Sequence, residues 1–156
     1  MSAIKLYRHA LSGHSHRVEL FLSLLGIETQ LIDVDLKSGA HKQAGYLAKN
    51  SFGQVPVIED NEITLADSNA ILVYLASKYD TSNQWLPTDA LQAAQVQRFL
   101  SVTAGKIASG PAAARLVNVF AAPLDKALAI ATAHTILGQL DAHLSGKNWL
   151  VGQHAT

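Results

Sequence analysis

No cysteine occurs in the 156 residues. That excludes disulfides, cysteine-ligated metals and a cysteine nucleophile, and leaves any thiol chemistry to a thiol carried in by a ligand. Neither sign of charge is in excess: 12 Lys and Arg balance 12 Asp and Glu. The electrostatic footprint of a nucleic-acid binder is therefore missing. No apolar run approaches the length of about eighteen residues that marks a membrane span. The opening "MSAIKLYRHA" has no long apolar core after a basic start, so it does not read as a secretory signal. There is no internal repeat and no low-complexity tract. What remains is 49% apolar and 15% charged, the composition of a chain that buries a core. Its length suits one ordinary domain or two small ones, and the whole profile predicts a cytoplasmic protein.

The first half alternates strand and helix signals. "IKLYR" predicts a strand at about residues 3–8 and "LSGHS" a loop. From Ser15, the residues Val18, Phe21, Leu22 and Leu25 fall at i, i+3, i+4 and i+7, the stripe of an amphipathic helix that Gly26 ends. "TQLIDVD" (29–35) is a second strand, so the start is a right-handed β-α-β unit with parallel strands. "GAHKQAGYLAKN" reads as a short irregular helix, "VPVIE" and "EITL" as a hairpin about "DN". Residues 67–79 form a helix with Ile71, Tyr74 and Leu75 inward. The order β-α-β-α-β-β-α predicts a mixed sheet with helices on its faces.

At Asp80 the texture changes. "DTSNQWLPTD" is rich in turn residues and reads as a linker. Beyond it the chain is Ala-rich and helical. Val96, Phe99, Leu100, Thr103 and Ile107 mark one long helix, which Gly110-Pro111 is expected to break or kink. A second runs from about Pro123 to Leu144, with Ile130, Leu137, Leu140 and Leu144 inward. In "NWLVGQHAT", Thr156 reads as an N-cap with no helix after it. Two helices bury their stripes poorly, so either further C-terminal helices or a partner is expected to cover them.

Three places could carry chemistry. Pro56 cannot donate to a sheet ladder and belongs at a strand start or edge. A trans bond there satisfies the sheet. A cis bond, affordable only before proline, would turn the Val55 backbone outward to pair with an extended peptide. Asp67-Ser68 open a helix, where capping residues and anion sites share the same free N–H groups. They are either plain caps, or Ser68 and its backbone N–H hold a carboxylate while Asp67 faces an amine. Ser12 lies between the first strand and a helix N-terminus. It either caps a turn or donates its hydroxyl to an anion. No G-x-S-x-G surrounds it, so it is not read as a nucleophile. His9, His14 and His16 lack a clear third metal ligand and read as supporting or surface groups. His41 and Lys42 could meet a second carboxylate or form a solvated face. Ligands in such sheets bind beyond the carboxyl ends of the parallel strands. Together these positions outline a groove for a short extended peptide, with carboxylates at both ends and an anion near Ser12.

Over essentially its whole length the chain resembles the cytosolic glutathione S-transferases, of a serine-type, theta/zeta-like bacterial class. The resemblance rests on "SGHSHRVELFLSLLGI", "GQVPVIEDNEITLADSNAILVYLA" and "NWLVGQHAT". It implies an α/β thioredoxin-like domain over 1–79, a linker over 80–88 and an all-α domain over 89–156 lacking its last helices. It also implies a homodimer acting on glutathione and a small hydrophobic electrophile, with no metal, nucleic acid or membrane. Pro56 is implied to be cis, and the Val55 backbone to pair with the cysteinyl unit. Ser68 and Asp67 match the γ-glutamyl end, and His41, Lys42 and Gln54 the glycine end. The family's usual acid before that serine is Glu, where this chain has Asp67. Ser12 matches the hydroxyl that faces the thiol. "SGHSHRV" and "KIASG" are similar to the zeta class, which would place Arg115 near the substrate pocket, although Gly13-His14 replace that class's Ser-Cys. The resemblance thus implies a glutathione transferase. The alternative is a non-catalytic binding or interaction module of the same fold, which need not keep a complete groove. A thiol-disulfide oxidoreductase would need a cysteine in the first loop.

Overall fold

Strand β1 (Ile4–Arg8), helix α1 (Gly13–Leu24) and strand β2 (Thr29–Asp33) open the chain in a computed structural model that describes residues 3–156. β1 and β2 pair in parallel, from Ile4 against Thr29 to Arg8 against Asp33. The irregular helix predicted around residue 40 is two pieces, a 3-10 turn at Ala40–Lys42 and the single-turn α2 (Ala44–Leu47). Then come β3 (Val57–Asp60), β4 (Ile63–Ala66) and α3 (Ser68–Tyr79). The hairpin turns at Asn61-Glu62, one residue later than "DN", with Asn61 at φ 53°. Asn tolerates that left-handed geometry better than most residues. The sheet order is β2-β1-β3-β4, with β3 antiparallel to β1. This is the thioredoxin-like α/β arrangement.

Strand alternation gives the sheet two buried faces. Leu6 and Ile58 pair across β1 and β3 and are fully buried, as are Val18 of α1 and Ile71 and Leu75 of α3. Val57, one residue from Ile58, points the other way and packs with Val34 and Tyr46. Hydrophobic periodicity is thus satisfied on both sides.

One buried charge ties this unit together. Asp60, at the end of β3, is only 2% exposed. Its Oδ2 accepts from Tyr74 Oη at 2.7 Å, Tyr79 Oη at 2.6 Å and Lys78 Nζ at 2.6 Å, all in the last turns of α3. Burial pushes the carboxyl pKa up, but the bonds from Lys78, Tyr79 and Tyr74 outweigh it and hold it below the ordinary value. Lys78 is correspondingly raised, chiefly by its bond to Asp60.

The chain divides into two compact units at Thr81/Ser82. The second is helical. α4 (Ala90–Val102) starts at Asp89, whose carboxylate accepts from Gln92 N at 2.9 Å. At Gly110-Pro111, where a break or kink is predicted, the chain does not leave the helix. The helix instead passes through a π-helical stretch, Thr103–Ala112, into α5 (Ala113–Phe120). Proline lacks an N–H and its ring clashes with the carbonyl four residues back, and a wider π turn relieves both problems. The run ends where Ala121 turns left-handed at φ 49°. α6 (Lys126–Leu144) is capped by Asp125, which accepts from Leu128 N at 2.9 Å.

The inward face of α6 also differs from the sequence reading. Ile130 and Leu137 are 38% and 51% exposed, whereas Ala129 and Ile136 are buried. The π stretch approaches α6 closely. A Cβ on Gly110 would lie 3.0 Å from Ala133 N. Gly110 therefore backs directly onto Thr132 and Ala133, where a larger side chain would not fit, and Ala129 and Ile136 are the buried residues of α6. The closing "NWLVGQHAT" forms no helix or strand, although Val151 is buried. Among the described residues, no helix is long and apolar enough to cross a membrane.

Candidate functional site

Strand register gathers the site at one end of the sheet. Tyr7 faces Val57, and Val57 faces Ala66. The exits of β1 and β4 and the entry to β3 therefore share an edge, and β2 ends beside Arg8 on the same side. A cavity of about 910 Å³ opens there, lined by His41, Lys42, Gln54, Val55, Pro56, Asp67 and Ser68. These are all seven residues that the resemblance assigns to the two ends and middle of the peptide groove. Ser12 is not among the lining residues, and Arg115 lies in the second unit on α5.

The wall before β3 is built by side chains on its own carbonyls. Asn50, buried, donates to Gln54 O at 2.9 Å and accepts from Phe52 N at 3.1 Å. Tyr46 Oη donates to the same Gln54 O at 2.9 Å. Burial, aided by Tyr7, pushes the Tyr46 hydroxyl up to about 12, so it remains a donor at neutral pH. The Val55–Pro56 bond that follows is cis. Lys42 Nζ donates to Phe52 O at 3.1 Å. His41 Nδ1 is buried without a hydrogen-bond partner, the kind of orphaned polar atom a bound ligand satisfies.

Gly53 is required by this wall. It sits at φ +57°, and a Cβ there would lie 2.6 Å from His41 O. Gly53→Ala is expected to cost about 1–2 kcal/mol from the left-handed backbone alone, read by urea unfolding. A loss below about 0.3 kcal/mol would contradict the close approach.

The opposite wall is the start of α3. Asp67 is its N-cap, at φ 71°, and its Oδ1 accepts from Asn69 N and Ala70 N, both at 2.9 Å. Those N–H groups are thus spent, which narrows the anion site read from sequence to Ser68 itself. Ser68 is buried, and its Oγ lies 3.2 Å from His14 Nδ1. Arg17 Nη2 lies 2.9 Å from the same nitrogen. Burial holds the His14 pKa below its ordinary value. The Arg17 cation adds to that and Asp67 opposes it. The net lowering favours the neutral ring.

Ser12 is the N-cap of α1, and its Oγ accepts from Ser15 N at 3.2 Å. Capping uses a lone pair and leaves the hydroxyl proton to donate. Both readings of Ser12 are therefore compatible in one side chain.

Lys49 and Asn50 are among the lining residues that sequence reasoning did not single out, and His14, read as a supporting or surface group, lines the cavity too. Lys49 is ion-paired with Glu59, which neutralises it. The asparagine before "SFGQVP" carried a usable signal, because Asn next to a turn commonly bonds local backbone. Among the described residues no three Asp, Glu or His side chains gather as a metal site would require.

The family model for the glutathione S-transferase N-terminal domain matches residues 2–77. Human glutathione S-transferase theta-2 is 37% identical over 62% of this chain and 40% of its own length. The chain therefore spans about two-fifths of that relative. Maize glutathione S-transferase 3 is 34% identical over 100% of this chain and 73% of its own. A glutathione transferase homologue from Drosophila mojavensis, solved with bound glutathione, superposes with TM-score 0.90 at 25% identity, covering 100% of this chain and 72% of that one.

Proposed function

The chain belongs to the glutathione S-transferase family, and from that premise we propose that it binds glutathione in the cavity and activates its thiol for attack on a small electrophile. One observation carries this reading: a single cavity at the sheet end is lined by all seven groove residues. The Val55 backbone pairs with the cysteinyl unit. Ser68 and Asp67 receive the carboxylate and amine of the γ-glutamyl end. His41, with its unpartnered Nδ1, serves the glycine end with Lys42 and Gln54. Ser12 donates to the sulfur, and Arg115 contributes to the electrophile pocket. The working form is a cytoplasmic homodimer.

The energetics are sufficient. A free thiol titrates at about 8.5 and is only a few per cent thiolate at pH 7. Lowering it by two units requires about 2.7 kcal/mol. A hydrogen bond to a charged group contributes about 1.5–3 kcal/mol, and the N-terminus of α1 adds about 0.3–1. No general base is needed.

Steady-state kinetics with glutathione and an activated aryl halide test the binding roles. Ser68→Ala is expected to raise the glutathione KM more than it lowers kcat. A fall in kcat at unchanged KM would argue against Ser68 as a binding residue.

A further inference from the structure

Arg17 fixes the tautomer of His14. A guanidinium has only donors, and Nη2 lies 2.9 Å from His14 Nδ1. Nδ1 therefore carries no proton, and the ring proton is on Nε2. The Ser68 hydroxyl, 3.2 Å from that same Nδ1, can therefore only donate to it, sharing the nitrogen's one lone pair with Arg17. The other arm of Arg17 donates to Asn69 Oδ1 at 2.5 Å. Two residues one turn apart on α1 thus grip two neighbours at the start of α3. His14 and Ser68 both line the cavity.

We propose that His14, pinned by Arg17, is a positioning residue for the γ-glutamyl end of glutathione: it fixes the Ser68 side chain and accepts its proton until the ligand carboxylate takes it. This rests on the glutathione site proposed above. The hand-over is cheap. When Ser68 turns its proton to a carboxylate, Nδ1 keeps the Arg17 donor, so the acceptor is not left unpaired. The charged groups acting on His14 are Arg17 on its own helix and Asp67 at the start of α3. Removing the imidazole frees Ser68 to rotate.

Calorimetric titration of glutathione into the full chain tests this. His14→Ala is expected to weaken binding about three- to tenfold, the value of one hydrogen bond. His14→Asn places an amide oxygen near the Nδ1 position and restores affinity to within about twofold. His14→Gln carries its acceptor one bond further out and does not. Nitrogen NMR of the unliganded protein is expected to show the Nε2–H tautomer of His14. An Nδ1–H tautomer, unchanged affinity in His14→Ala, or equal rescue by Gln and Asn would overturn the inference. If the unmodified chain bound no glutathione, the proposed site would fall and this inference with it. Binding by the unmodified chain with His14→Ala unaffected would overturn the role of His14 alone.

Discussion

Ser12→Ala is expected to lower the rate of glutathione conjugation about ten- to a hundredfold, the loss of one hydrogen bond to a charged sulfur. The loss should fall on kcat, because the bond strengthens as the thiol becomes a thiolate. The structure places Ser12 at the N-cap of α1, bonded to Ser15 N. Removing the hydroxyl therefore also removes a cap, at a cost of about 1 kcal/mol in stability. The two effects separate experimentally. Ser12→Asn keeps a capping oxygen but replaces the hydroxyl, so it should recover stability without recovering rate. Unchanged kinetics in Ser12→Ala would remove Ser12 from the mechanism.

The second large effect concerns stability. Asp60→Ala strips the acceptor from Tyr74, Tyr79 and Lys78 at once. Deleting one partner of a buried charged cluster costs about 3–5 kcal/mol. Lys78 is 40% exposed and can rehydrate, so about 3 kcal/mol is expected, a fall in Tm of about 6–12 °C. Asp60→Asn keeps an acceptor and should cost less. The pH dependence has a definite sign. The folded pKa of Asp60 lies below its unfolded value. Its contribution is thus complete above about pH 4 and is lost as pH falls through the folded pKa. Lys78 is raised, so its contribution is present below about pH 10 and is lost as pH rises through its folded pKa. Asp60→Ala should flatten the acid limb of the stability curve. An Asp60→Ala variant within about 0.5 kcal/mol of the unmodified chain would contradict the role assigned to the cluster.

What could be read from sequence followed the range of the interactions involved. Hydrophobic spacing is local, and it predicted β1 through α3 in the right order. Pro56 and Asp67 were legible because proline and capping residues carry positional meaning by themselves. His14 was legible only as a supporting or surface group, without its partner, since Ser68 is 54 residues away. Asp60 failed for the same reason: Tyr74 and Lys78 are spaced for one helix face, but nothing local says that β3 ends against it. In the helical unit, the pattern favoured Ile130 and Leu137 as core. The helix instead sets Ala133 against Gly110 and buries Ala129 and Ile136. Gly110-Pro111 was read as a break or kink, and the chain stays helical there through a π stretch.

The most direct test is the thiol pKa of glutathione in the presence of the protein, followed by ultraviolet difference titration of the thiolate. The proposed mechanism predicts a bound thiol titrating about two units below its free value of about 8.5, with most of that shift lost in Ser12→Ala. Bound glutathione titrating at its free value would leave a binding site without activation, and would contradict the transferase mechanism.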